Sequence, residues 1–218
     1  MEQTNKKINV HNRVASIKQI NKKINVHNIV VTEQLDNQID VDKLGEFKEK
    51  GFKYNKEIFP GVFFHSRENK KIAFLIFKTG KVVCTGAKSM DAINSALDEL
   101  ADVLNSMGFN VKRKKEVKVT NIVVSAYIKK IPTLSELAST LDNIEYDPEV
   151  FPGIINRRKT KDYSAVILIF KTGRIVCVGI NDLKLARQAI SDFQKEITNN
   201  RNKRPTHKLI TSQDFFNA

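Results

Sequence analysis

The 218-residue sequence has little of what secreted, membrane or catalytic proteins rely on. Its two cysteines, Cys84 and Cys177, are too few for a disulfide framework and fit reduced thiols in a protein that is not secreted. Neither belongs to a Cys-x-x-Cys pair, and His11, His27, His65 and His207 are scattered, so no metal is expected. No stretch approaches the ~18 uninterrupted apolar residues of a membrane-spanning helix. Residues Met1 to Lys7 are polar and lack the apolar core of a signal peptide, which argues against secretion. A nucleophile–base set, paired carboxylates and a phosphate-cradling loop are all missing, so neither an enzyme nor a cofactor is expected. Acidic residues are also in deficit: 24 Asp and Glu stand against 37 Lys and Arg, a formal charge of +13. Such a surface suits a polyphosphate, because neutralising phosphates releases condensed counterions. A merely soluble basic protein, or one that binds anionic membranes, would share this composition.

What the chain does have is an internal repeat, the first thing to look for in any sequence. Residues 59–88 read FPGVFFHSRENKKIAFLIFKTGKVVCTGAK, and residues 151–181 read FPGIINRRKTKDYSAVILIFKTGRIVCVGIN. The offset is 92 residues between Phe59 and Phe151 and 93 between Phe77 and Phe170, so the second copy gains one residue in between. Asn28-Ile29-Val30-Val31 likewise matches Asn121-Ile122-Val123-Val124. Each unit predicts an opening strand (24–32; 117–126) and a short helix (41–50; 134–141), with Thr133 as N-cap of the second. Strands over 58–67, 71–78 and 81–87 follow, with Thr79-Gly80 as a tight turn. An amphipathic helix then carries Ile93, Leu97, Leu100, Leu104 and Met107 and stops at Gly108. The units are placed at 21–111 and 112–198, joined through the polar run Lys112-Arg113-Lys114-Lys115. Residues 1–20 read as a disordered extension. They include Asn-Lys-Lys-Ile-Asn-Val-His-Asn at 5–12, which recurs at 21–28 and reads as gene slippage. Residues 199–218 read as a basic tail.

The strands are apolar on both faces. Ile72, Phe74 and Ile76 oppose Ala73, Leu75 and Phe77; Val82 and Cys84 oppose Val83 and Thr85; Ile167 and Ile169 oppose Val166, Leu168 and Phe170. Helices, two per unit, can cover one face only. Either the other face is sandwiched or partnered, or it is an apolar sheet kept open for a ligand. One amide per repeat (Asn28, Asn121) and a basic rim (Lys78, Lys81, Lys88, Arg157, Lys171, Arg174) accompany that face. The combination suits the minor groove at A·T pairs, whose floor offers few hydrogen-bonding groups.

Gly80-Lys81-Val82-Val83-Cys84-Thr85-Gly86-Ala87-Lys88 resembles the G-K-x-V-C-T-G-A-K signature of TATA-box-binding proteins, and Tyr146-Asp147-Pro148-Glu149-Val150-Phe151-Pro152-Gly153 resembles their Y-E-P-E-L-F-P-G. The resemblance covers about residues 24–198. It implies an α+β fold in which two direct repeats form a pseudo-twofold saddle. One continuous curved sheet, with five antiparallel strands from each repeat, would present a concave DNA face and carry helices on its convex side. That family is the type case of minor-groove wedging and kinking. Carried over by position, Phe59, Phe77, Phe151 and Phe170 are the wedges, and Asn28 and Asn121 donate to bases at the centre of the site. Val30, Val123, Leu75, Leu168, Val83 and Val176 form the floor, with Thr85 and Val178 also at base-contacting positions. Lys81, Lys88, Arg157 and Arg174 are the candidate phosphate clamps. The implied partners are double-stranded A·T-rich promoter DNA, other general transcription factors and a transcription factor IIB-like protein, the last meeting Asp147, Glu149 and Val150.

Three departures stand out. Val178 replaces a threonine, Ile180-Asn181 replaces Ala-Lys, and the first repeat's long helix carries Asp91, Asp98, Glu99 and Asp102 where the family is usually basic. The turns around 68–71 and 159–162 are also longer. A diverged paralogue with other DNA or mainly protein partners is the alternative, as is an accessory domain of the kind found in some DNA-repair enzymes. Usage rich in Lys, Asn and Ile points to an A·T-rich genome, such as that of a large DNA virus or a protist. The expected location is then the nucleus or a cytoplasmic viral factory.

Overall fold

The structure, a computed structural model, describes residues 24–200. The expected extension over 1–20, and the expected tail from residue 201 onward, lie outside the described residues. The first repeat runs β1 (Asn25–Gln34), α1 (Val41–Glu46), a 3-10 turn (Lys48–Lys50), β2 (Gly61–His65), β3 (Ala73–Phe77), β4 (Lys81–Ala87) and α2 (Met90–Ser106). The second runs β5 (Lys118–Tyr127), α3 (Leu134–Thr140), β6 (Ile144–Glu145), β7 (Gly153–Lys159), β8 (Ser164–Phe170), β9 (Arg174–Ile180) and α4 (Leu183–Asn200). The fold is therefore α+β in two copies of one unit. By contacts the chain divides into two compact units inside β5, between Val123 and Val124.

In the first unit the antiparallel order is β2-β3-β4-β1; in the second, the strands run β5-β9-β8-β7-β6. The expected fifth strand of the first repeat is reduced to one bridge, Lys53↔Phe63, at the place where β6 pairs Glu145 with Ile155. Gly51, at φ 95°, turns the chain just before it and leaves a single residue in pairing geometry. The same glycine ends the region predicted as one helix over 41–50, which splits into α1 and the 3-10 turn.

Local chemistry accounts for the helix ends. Asp40 caps α1 by accepting from the Lys43 N–H at 3.1 Å, and Ser89 caps α2 through the Ala92 N–H. Thr133 and Glu136 form a reciprocal capping box on α3. The apolar stripe of α2 (Ile93, Ala96, Leu97, Leu100, Leu104) is buried and packs on β4, while Ala186, Ala189, Ile190 and Phe193 of α4 pack on β9. Phe52, Phe64 and Phe74 stack in the first core, with ring centroids 4.4 and 6.2 Å apart. Cys84 and Cys177 occupy equivalent buried positions. Burial pushes their thiols up to about 12 and about 11, so both stay protonated at neutral pH and act as small apolar side chains.

A buried ion pair ties the linker to the first sheet. The Glu33 carboxylate accepts from Arg113 Nε at 2.8 Å and from the Lys115 N–H at 2.6 Å. Arg113 Nη1 in turn donates to Asp98 at 2.8 Å and to the Asn94 carbonyl at 3.0 Å. Two of the four acids noted on this helix are thus already engaged, since Glu99 also accepts from the Ser66 hydroxyl and the Arg67 N–H.

Candidate nucleic-acid interface

Strand alternation decides which face carries the site. Ile29, Val31, Phe74, Ile76, Val82 and Cys84 are buried under the helices, whereas Asn28, Val30, Leu75, Phe77, Val83 and Thr85 remain half-exposed. The second unit repeats the division: Ile167, Ile169, Ile175 and Cys177 are buried, and Leu168, Phe170, Val176 and Val178 are half-exposed. Asn121 and Val123 on β5 are half-exposed as well. The register aligns equivalent floor residues across strands, Leu75 opposite Val83 and Leu168 opposite Val176.

At one end of each unit two phenylalanines meet edge-on. Phe59 and Phe77 have centroids 5.8 Å apart at 61°, and Phe151 and Phe170 are 5.7 Å apart at the same angle. The glycine of each Phe-Pro-Gly makes the space. Gly61 sits opposite Phe77 in the register, and a Cβ there would lie 2.8 Å from Phe59 Cε1 and 3.2 Å from Phe77 Cε1. Phe59 is 41% exposed, so its ring can swing outward. Gly61→Ala is therefore expected to leave the melting temperature within a few degrees of wild type while splaying the ring pair. Calorimetry and a DNA-bending assay, run side by side, check that separation.

Asn28 is held in one orientation. Its Oδ1 accepts from the Gly86 N–H at 2.8 Å and its Nδ2 donates to Thr85 Oγ1 at 3.0 Å, leaving the second Nδ2 hydrogen for an external acceptor. Gly86 adopts φ 94°, and a side chain there would collide with the Lys71 carbonyl, so the clamp depends on glycine. An oriented donor is what the A·T minor groove calls for, since it exposes only acceptors. In the second unit Val178 occupies the position of Thr85 and brings no hydroxyl.

Lys81, Lys88 and Arg174 are exposed. Arg157 is also exposed, but its Nε donates to Glu145 Oε1 at 2.6 Å, and that hydrogen bond raises the guanidinium above its ordinary range. Glu145 therefore competes with a phosphate for part of this guanidinium. Asp147 accepts from the Glu149 N–H at 3.1 Å and from the Phe151 N–H through its carbonyl at 2.8 Å, which fixes a loop whose Val150 is 82% exposed. Sequence reasoning missed the twin of this loop. Asn55 makes the same bonds to Glu57 and Phe59, and Ile58 is 81% exposed. The signal was present as Glu-aliphatic-Phe-Pro-Gly in both copies.

Two copies of one α+β unit, each offering a half-exposed apolar strand face with an asparagine and exposed cations beside it, define a DNA-binding protein of the two-repeat sheet class. The family model described as "Transcription factor TFIID (or TATA-binding protein, TBP)" matches residues 23–107 and 116–200. The chain belongs to the TATA-box-binding protein family. It is 42% identical to TATA-box-binding protein 2 of Methanosarcina acetivorans over 154 residues, covering 69% of this chain and 82% of the relative. It is 40% identical to the TATA-box-binding protein of Pyrococcus furiosus, covering 78% and 86%. Among solved structures it matches the Methanococcus jannaschii TBP with a TM-score of 0.72 and 31% identity, over 81% of this chain and 99% of that one. Membership of this family makes the protein a DNA-binding factor of transcription initiation, in keeping with a non-enzymatic role.

Proposed function

We propose that the half-exposed strand faces bind the minor groove of A·T-rich promoter DNA, that the four phenylalanines wedge between base steps and kink the duplex, and that the bent complex nucleates assembly of the initiation machinery. The observation that carries this reading is the repeated edge-on pair Phe59–Phe77 and Phe151–Phe170, beside floor residues that a core would normally bury. Asn28 and Asn121 supply donors at the groove floor, where a guanine amino group would meet apolar side chains. Lys81, Lys88, Arg174 and, in competition with Glu145, Arg157 hold phosphates. A fluorescence bending assay on a TATA duplex and a G·C-substituted control, at fixed salt, tests the proposal. Selective bending of the TATA duplex supports it, and equal affinity for both without bending rejects it.

The exposed Val150 beside Asp147 and Glu149 supports docking of a transcription factor IIB-like protein on that loop. Val178 favours a second reading, in which divergence has altered DNA preference in one half of the site. Restoring the hydroxyl by Val178→Thr is expected to sharpen discrimination against G·C pairs in that half by several-fold. Affinities for duplexes substituted in one half at a time read this out; unchanged ratios would remove Val178 from the recognition argument.

A further inference from the structure

At the end of β1 the first unit contains a groove bordered by Thr32, Lys81, Lys115, Glu116 and Lys118, with Glu33 at its base. Thr32 continues the half-exposed line of Asn28 and Val30, and Lys81 shares a strand face with Val83 and Thr85, so the groove prolongs the candidate DNA face. Its charge is one-sided. Glu33 is already neutralised by Arg113, leaving three lysines against the single carboxylate of Glu116. The three lysines are exposed, and among the described residues no ion pair engages their ammonium groups.

The backbone adds a second, independent observation. Lys115 adopts φ 58°, left-handed geometry in which glycine or asparagine would be less strained. The Lys115 N–H donates to buried Glu33, so the geometry is imposed by the ion-pair network. The network thereby fixes the backbone that carries Lys115 at the rim of the groove.

We infer that this groove is a phosphodiester site, in which Lys115 and Lys118 of the inter-repeat linker join Lys81 in clasping the DNA backbone beside the apolar face. Part of the linker is then a component of the DNA interface rather than a polar joint. The inference rests on the minor-groove reading above and extends it to residues that reading leaves unassigned.

The test uses the full chain, wild type and three variants: Lys115→Gly, Lys118→Ala and Lys115→Arg. Each is titrated with a labelled TATA duplex over a range of salt, and bending and melting temperature are recorded in parallel. Each lost phosphate contact should flatten the plot of log affinity against log salt by about 0.9, equivalent to about eightfold weaker binding at 0.1 M salt. Lys115→Gly and Lys118→Ala should each show this with the bend retained, and Lys115→Arg should keep the wild-type slope. Lys115→Gly should melt no lower than wild type, because glycine relieves the left-handed backbone. That separates a lost contact from a damaged fold. Wild-type slopes for both Lys115→Gly and Lys118→Ala, in a protein that bends the duplex, would overturn the phosphate site alone. Failure of the wild type itself to bend the duplex would overturn the minor-groove reading and the site with it.

Discussion

Phe170→Ala is expected to lower affinity for a TATA duplex by about 30- to 150-fold and to reduce the bend, while leaving the protein folded. Inserting a phenylalanine between base pairs buries most of an aromatic side chain, worth about 2–3 kcal/mol, which corresponds to that range in affinity. The ring has to offset an opposing cost, because unstacking takes a few kcal/mol per step and bending about 1–6 kcal/mol more. In the free protein Phe170 is only half-buried, packed edge-on against Phe151, so its removal sacrifices little of the core. Phe64→Ala is the contrasting substitution. Phe64 is 1% exposed and stacked between Phe52 and Phe74, so its loss should cost about 3–5 kcal/mol of stability. Denaturant unfolding and DNA bending on both variants give opposite patterns if the half-exposed phenylalanines are wedges, and similar patterns if they are core.

The second large effect concerns Arg113. Its side chain is 4% exposed, and that of its partner Glu33 is fully buried. Arg113→Met leaves the Glu33 carboxylate in the interior with only the Lys115 N–H to satisfy it, which should cost about 3–5 kcal/mol. For a domain pair of this size that lowers the melting temperature by roughly 6–20 °C. Combining it with Glu33→Gln removes the stranded charge and keeps an acceptor for Lys115, so the double variant should be more stable than Arg113→Met alone. A double-mutant cycle by thermal melting measures this coupling. Additive losses would show that the pair contributes no more than two independent contacts.

Much of this was legible in the sequence for a definite reason. The two copies retain Phe-Pro-Gly, Leu-Ile-Phe-Lys-Thr-Gly and Val-Cys-x-Gly, so strand boundaries, turn and floor positions could be read twice and checked against each other. Period-two alternation divided each strand correctly into two sets, but with both sets apolar it could not say which one the helices cover. Burial settles that: Phe74 and Cys84 lie beneath the helices, and Leu75 and Thr85 do not. Arg113 read as one cation in a polar joint because its partner lies 80 residues away, and nothing local marks such a pair. Asp98 and Glu99 read only as a departure from a usually basic helix, since their partners Arg113, Ser66 and Arg67 lie on other segments. The fifth strand of each repeat was expected only from the family resemblance, and in the first repeat the left-handed Gly51 accompanies its reduction to a single bridge at Lys53. Arg157 read as a phosphate clamp, and its pairing with Glu145 could not be seen from sequence because β6 had not been placed beside β7.

Recognition from the minor groove, through an apolar floor, separates A·T from G·C by the guanine amino group alone. The most direct measurement compares bending and affinity on three duplexes of matched length: A·T, G·C, and one in which inosine·cytosine pairs replace A·T throughout the element. Inosine·cytosine lacks the guanine amino group, so it looks like A·T from the minor groove and like G·C from the major groove. The inosine duplex should be bound and bent nearly as well as the A·T duplex. Behaviour matching the G·C duplex would contradict minor-groove recognition, placing recognition in the major groove and leaving the half-exposed phenylalanines without a role in DNA binding.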